Sequence, residues 1–232
     1  MSKAALITGG SSGIGLAIAR GLKEDGYELT LASRTTERVE AAARELGAYA
    51  VTANVAVPED CASIVTAHRE RFGRLDVLVN GAGLGVAGNV EDLPAKHVGL
   101  QLDVNLRGLV LVTQAAIPLL RESRGHIVNL ASIAGTMPTP SLSIYGATKA
   151  AVIAFTRTLN AELDTDGVRA TALCPGFVDT RMAAWTGIPG EEMIQPEDCA
   201  ELVRTLLRLS PHARVPQIVI ERVGSTADEL PG

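Results

Sequence analysis

Ala4–Arg20, AALITGGSSGIGLAIAR, is the stretch whose reading decides the fold. Ala4 to Thr8 reads as a strand, aliphatic along nearly its whole length, as a strand covered on both faces of a parallel sheet must be. Glycines at 9, 13 and 15 then allow a tight turn and a close approach of backbone to a ligand. From Ile14 to Asp25 the apolar residues recur with helical period, so the turn feeds a helix whose first N–H groups have no partner within it. Such a terminus attracts an anion, and a pyrophosphate is the expected guest.

Two rival motifs share this turn. A phosphate loop of the Walker type fails, because no Gly-Lys-Ser/Thr follows. Gly9-x-Ser11-x-Gly13 does match a hydrolase nucleophile elbow, with Asp179 and His212 following in the right order. That elbow needs an oxyanion donor from a loop after an earlier strand, and Ala4–Thr8 is the first strand of this sequence.

Outward from the turn, short aliphatic runs alternate with segments of helical period. Strands are expected at 4–8, 27–32, 48–53, 76–80, 126–131, 168–174 and 217–220. Helices are expected at 14–25, 36–46, 58–72, 97–121, 145–163 and 196–209. Pro58 and Pro196 stand at first-turn positions followed by acidic residues, where proline costs nothing and acids suit the helix dipole. Strict alternation implies an α/β fold, a Rossmann-type doubly wound parallel sheet of seven strands with helices on both faces. No linker, repeat or low-complexity stretch divides residues 1–232, so one domain is expected, with a polar, loose tail from Ser225 to Gly232.

Composition narrows the class. Hydrophobic residues make up 47% of the chain but aromatics only 3%, so the core is aliphatic. A net charge of −5 with no local basic cluster argues against nucleic acid and anionic membranes as partners. Cys61, Cys174 and Cys199 form no C-x-x-C pair and fit reduced, buried thiols. The first apolar run stops after five residues at GGSSGIG, too short for a secretory signal, and the apolar run Leu109–Leu120 is too short to span a bilayer. A cytoplasmic protein is expected. His68, His97, His126 and His212 show no metal-ligand spacing, so no metal is expected.

The chemistry sits in a second stretch, Asn129–Lys149, NLASIAGTMPTPSLSIYGATK. Ser132 ends an apolar strand, and Tyr145 and Lys149 stand four residues apart at the start of an alanine-rich helix, about 6 Å along one face. A phenol has an ordinary pKa of about 10, and a neighbouring cation favours its anion. Bringing it toward neutrality takes about 3 to 4 kcal/mol of electrostatic work. A lysine together with a cationic nicotinamide can supply that, while Ser132 holds the oxygen of a carbonyl or alcohol.

The turn T-G-x-x-x-G-x-G, Asn80-Gly81-Ala82-Gly83, Asn105, Ser132, Tyr145-x-x-x-Lys149 and Pro175-Gly176 together closely resemble the short-chain dehydrogenase/reductase family, in order and over nearly the whole chain. The resemblance implies an oxidoreductase in which Ser132 orients the substrate oxygen and Tyr145 is the acid/base. By the same resemblance Lys149 holds the nicotinamide ribose and lowers the tyrosine pKa, and Asn105 holds a water that extends the proton relay. It implies cofactor contacts from Gly9, Ser11, Ser12, Gly13, Ile14 and Gly15, then Ser33, Arg34, Asn54 and Val55. Asn80, Gly81 and Ala82 follow, then Tyr145, Lys149, Pro175, Gly176, Val178 and Thr180. Asn54 departs from the Asp that many members carry near the adenine.

Ser33-Arg34 closes the second strand where an acid would bind the ribose of NAD, so NADP(H) is the expected cofactor, with Arg34 on its 2′-phosphate. The segment 177–195 should be a substrate lid, apolar through Phe177, Val178, Met182, Trp185, Ile188 and Met193, with Arg181 its only base. Leu84, Ile133, Met137 and Leu142 are expected opposite. Such a pocket suits a small or medium apolar ketone, 3-oxo compound or alcohol. The carboxyl end, PQIVIERVGSTADELPG, lacks the family's common Gly-Gly close and resembles shorter relatives that act on hydroxy acids and small alcohols. The alternatives are a 3-oxoacyl-carrier-protein reductase, with Arg121 and Arg124 on the carrier, and a non-catalytic NADP-binding regulator. Helices 97–121 and 145–163 resemble those of the family's subunit interface and imply a homodimer or homotetramer.

Overall fold

The computed structural model describes residues 2–224; the expected loose tail lies outside them. Its strands are β1 (Ala4–Thr8), β2 (Glu28–Ser33), β3 (Tyr49–Thr52), β4 (Val77–Asn80), β5 (His126–Leu130), β6 (Arg169–Pro175) and β7 (Gln217–Ile220). All seven pair in parallel, in the order β3-β2-β1-β4-β5-β6-β7. The helices are α1 (Gly13–Glu24), α2 (Thr36–Leu46), α3 (Pro58–Phe72), α4 (Ala95–Ser123), α5 (Ser143–Glu162) and α6 (Pro196–Arg208).

β1, β4 and β5 are buried at every position, which is why they read as largely aliphatic runs rather than strict alternations, with Thr8, Asn80, His126 and Asn129 the polar residues among them. One face of the sheet packs on α1, α2 and α6 through Ile18, Leu22, Val39 and Val203. The other packs on α3, α4 and α5 through Ile64, Val112, Leu120 and Leu159. The order reverses at β1, which pairs with β2 on one side and β4 on the other. A crevice opens at such a reversal, at the carboxyl ends of the strands.

Two helices differ from the sequence expectation. α4 starts at Ala95 and runs 29 residues, with a π-helical segment, Asp103–Gly108, in its middle. By length and composition alone it could cross a membrane, but Val104, Val112, Ala116, Leu119 and Leu120 are buried against the sheet, as in a core helix. Pro118 lies on its exposed side, and the helix runs on past it to Ser123. α5 starts two residues early, at Ser143.

Two histidines belong to the interior. His68 Nε2 lies 2.9 Å from the Arg74 carbonyl, which can only accept, so Nε2 carries the proton and Nδ1 accepts from Thr30 Oγ1 at 2.7 Å. Thr171 gives its hydroxyl proton to the Val215 carbonyl, so His126 Nε2 donates to Thr171 Oγ1 and Nδ1 stays bare. Burial pushes His68 down to about 4 and His126 down to about 3. The unfolded chain protonates both near pH 6.5, so their contribution to stability is complete above that pH and is lost as pH falls through about 4 and 3. Urea unfolding should show each ring contributing about 3 kcal/mol less at pH 4 than at pH 7. His68→Gln and His126→Gln should each flatten that slope; slopes equal to the parent's would contradict the assignment.

Candidate active site

The strand registers bring the separated motifs to one edge. Thr8 pairs with Asn80, Asn80 with Asn129, and Asn129 with Ala172, so the chain leaves β1, β4, β5 and β6 at one level. The glycine turn, Gly81–Gly85, Ser132 and Pro175-Gly176 therefore line a common cleft of about 1250 Å³.

At one end, Gly9 has φ +70°, and a Cβ there would lie 2.7 Å from the Gly81 backbone. A Cβ on Gly15 would run into the Gly9 carbonyl, so neither position admits a side chain. Thr8 Oγ1 accepts from the N–H groups of Gly81 and Ala82 at 3.2 and 3.3 Å, fixing the turn against the loop after β4. α1 opens at Gly13 with no acidic residue in its first turn, leaving its N–H groups to an anion. Arg34, just before α2, and Arg38, in its first turn, line the wall beyond Ser33 with Arg20, and neither Arg34 nor Arg38 forms an ion pair among the described residues. A cradle closed to side chains, a free helix terminus and arginines along the wall fit the phosphates of a dinucleotide.

At the other end, Ser132 and Tyr145 both line the cleft, and Ser132 favours the ionised form of the phenol. Ser132 Oγ also accepts from Ala134 N–H at 3.2 Å, which leaves its proton for an oxygen in the cleft. Lys149 is 4% exposed, and its Nζ donates to the Leu130 carbonyl at 2.7 Å and stands 5.5 Å from the centre of the Tyr145 ring. Burial pulls the ammonium down to about 8. The expected lowering of the phenol by Lys149 is absent here: burial raises the Tyr145 pKa, and Ser132 only partly opposes it. The ammonium is itself largely desolvated and committed to Leu130 O, which limits its help.

Of the expected cofactor contacts, Gly9, Ser11–Gly15, Ser33, Arg34, Asn54, Val55, Gly81, Ala82, Tyr145, Lys149, Pro175, Gly176, Val178 and Thr180 all line the cleft. Asn80 does not. It is buried below the cleft, its amide N–H groups on Thr113 and Asn129, so its expected cofactor contact is corrected to a link between α4, β4 and β5. Asn105 is also behind the wall, where the π turn aims it at the loop after β4. Its Oδ1 accepts from Leu84 N at 2.9 Å, and its Nδ2 donates to Leu84 O at 2.8 Å and Thr148 Oγ1 at 3.2 Å. Of the apolar segment 177–195, Phe177, Val178, Met182 and Trp185 reach the cleft, as do Leu84, Ile133, Met137 and Leu142 from the other side. Ile188 and Met193 do not, and Met193 is buried among neighbours. Arg38 escaped the sequence reading; it lines the cleft from the first turn of α2.

These features place the chain in the Rossmann-type class with a dinucleotide-sized cleft at the switch point. Residues 3–187 match the short chain dehydrogenase family. An uncharacterized oxidoreductase of Staphylococcus epidermidis is 37% identical over 224 residues, 95% of this chain and 97% of that protein. Among solved structures, an alcohol dehydrogenase from the archaeon Thermococcus sibiricus, complexed with 5-hydroxy-NADP, superposes with a TM-score of 0.91 at 35% identity, covering 97% of this chain and 99% of that one. A 3-ketoacyl-(acyl-carrier-protein) reductase from Brucella melitensis, complexed with NADH, gives 0.89 at 30% identity, covering 94% and 96%. The chain belongs to the short-chain dehydrogenase family of oxidoreductases.

Small residues let the helix that carries Tyr145 approach the turn after Ser132. A Cβ on Gly146 would lie 2.7 Å from Ala134 O, and one on Gly135 would lie 2.6 Å from the Lys149 carbonyl carbon, so α5 rests directly on the turn that follows Ser132. Gly146→Val should force α5 off that turn and lower the melting temperature by several degrees, at a cost of about 1 to 3 kcal/mol. Gly99→Val, with nothing near its Cβ, is the control; an equal effect of the two substitutions would show that the contact does not matter.

Proposed function

We propose that this chain is an NADP(H)-dependent carbonyl reductase, reversible as an alcohol dehydrogenase, acting on a small or medium apolar ketone, 3-oxo compound or alcohol. The observation that carries the reading is that Ser132, Tyr145 and Lys149 line the same cleft as the glycine turn. The chemistry a bound nicotinamide supplies is hydride exchange with the carbonyl carbon. Ser132 holds the carbonyl oxygen with its hydroxyl proton, and Tyr145 gives that oxygen a proton on reduction or takes it on oxidation. Lys149 holds the ribose and keeps a positive charge beside the phenol. Asn105 positions the loop after β4 by gripping both backbone groups of Leu84, and helps carry the proton path toward water. Segment 177–195 is the lid over this single domain, and the chain works as a homodimer or homotetramer.

The likeness to the carrier-protein reductase supports a 3-oxoacyl thioester as the second substrate reading. Arg121 and Arg124 give it little help within one chain, since they precede β5 at the end of the sheet opposite Ser132, and Arg121 is paired with Asp166. A regulator without chemistry would have no use for the intact constellation of Asn105, Ser132, Tyr145 and Lys149.

Tyr145→Phe should lower turnover at least about 10²-fold with cofactor affinity nearly unchanged, measured by nicotinamide absorbance and by titration of NADPH binding. Retained turnover would refute the role of the phenol. Arg34 and Arg38 together select the 2′-phosphate, each charged hydrogen bond being worth about 1.5 to 3 kcal/mol. Arg34→Ala should therefore weaken NADPH binding about 10-fold or more while NADH binding barely moves. An equal loss for both cofactors would refute this selectivity.

A further inference from the structure

The mouth of the cleft carries an unusual concentration of uncovered apolar side chains. Trp185, the chain's one tryptophan, is 49% exposed, Met182 is 45% exposed and Met137 41%. All three line the cleft that holds Ser132 and Tyr145. They come from two segments with separate ties to the chemistry. Met137 lies in the short connection between Ser132 and α5, the helix that carries Tyr145, so it flanks both hydroxyls through the chain itself. Met182 and Trp185 follow the Pro175-Gly176 turn, and the indole is braced edge-on against Phe177, ring centres 6.4 Å apart at 78°.

This T-shaped contact leaves about half of the tryptophan open. An aromatic ring prefers another aromatic in an offset or edge contact, and a thioether sulfur prefers the edge of a ring. Leaving a tryptophan and two methionines open to water costs hydrophobic free energy that a bound ring would recover. In a chain with only 3% aromatic residues, Phe177 and Trp185 are two of the seven aromatic side chains, and both stand on this wall.

We infer that the substrate carries an aryl ring next to its reacting carbon, that is, an aryl ketone or benzylic alcohol, and that Trp185 with Met182 and Met137 determines this preference by receiving the ring. The inference rests on the carbonyl reductase reading and narrows its substrate class. The ring seats at the mouth while the carbonyl oxygen reaches Ser132 and Tyr145 further in.

The single tryptophan makes a direct probe. In the full-length protein with NADP⁺ bound, acetophenone cannot be reduced, so its binding reads as quenching of the indole emission without turnover. Saturable quenching by acetophenone, well beyond that caused by 2-butanone, is expected; equal or absent quenching would overturn the inference. In steady-state oxidation, the ratio of kcat/KM for 1-phenylethanol to that for 2-butanol should fall about tenfold in Trp185→Ala and return in Trp185→Phe. A ratio unchanged in Trp185→Ala, or one not restored by phenylalanine, would overturn it. Failure of the parent reading looks different: quenching by acetophenone would persist while no alcohol or ketone is turned over with either cofactor.

Discussion

One hydrogen bond holds the chemistry together, that from Lys149 Nζ to the Leu130 carbonyl across 2.7 Å. It ties the helix that carries Tyr145 to the strand that ends two residues before Ser132. A buried ammonium is costly unless its donors find acceptors, and the bond to Leu130 meets only part of that need. The remaining cost is visible in the fall of its pKa to about 8. A donor that is desolvated, charged at neutral pH and incompletely served is poised for an additional oxygen, which is the role a ribose hydroxyl fills in the proposed complex. The same desolvation explains the phenol: Tyr145 is raised rather than lowered, so the protein by itself holds a neutral acid beside Ser132.

Backbone proximity makes that bond attainable. Gly135 and Gly146 let α5 lie directly on the turn after Ser132, and Gly9 and Gly15 let the first turn lie against Gly81. In both places glycine is present because a neighbouring main chain occupies the position of its Cβ. The sheet supplies the rest: its parallel register delivers four strand ends to one level, and burial of β1, β4 and β5 on both faces leaves that edge little freedom to slide.

The sheet was legible in the sequence because its buried parallel strands are largely aliphatic, and the helices between them carry periodicity and, at Pro58 and Pro196, first-turn prolines. Edges were less so; α5 begins at Ser143, two residues before the expected start. The π segment of α4 could not be read, since Asp-Val-Asn-Leu-Arg-Gly fits an α-helix equally well, yet an Asn inside a helix was the visible trace of it. Asn80 was misassigned to the cofactor because sequence locates a residue at a strand end without saying which way its side chain turns. Here it turns inward, toward Thr113 and Asn129. Arg38 was overlooked because an arginine in a helix beginning TERVE looks like ordinary surface charge until the fold places it on the cleft wall. The raised pKa of Tyr145 in the protein alone could not be read, because charge proximity is legible in spacing, whereas desolvation depends on the whole fold.

What remains is a phenol whose proton is held tightly by the protein alone and must be loosened by what binds in the cleft. Its ionisation can be followed directly by NMR of protein carrying ¹³C-labelled tyrosine, with Tyr145→Phe assigning the signal, first without nucleotide and then with NADP⁺. The account predicts a phenol that titrates above its ordinary value of 10.0 in the free protein and at a markedly lower pH once the oxidised cofactor is bound. The same titration in both states, or a phenol already ionised near neutrality in the free protein, would contradict it.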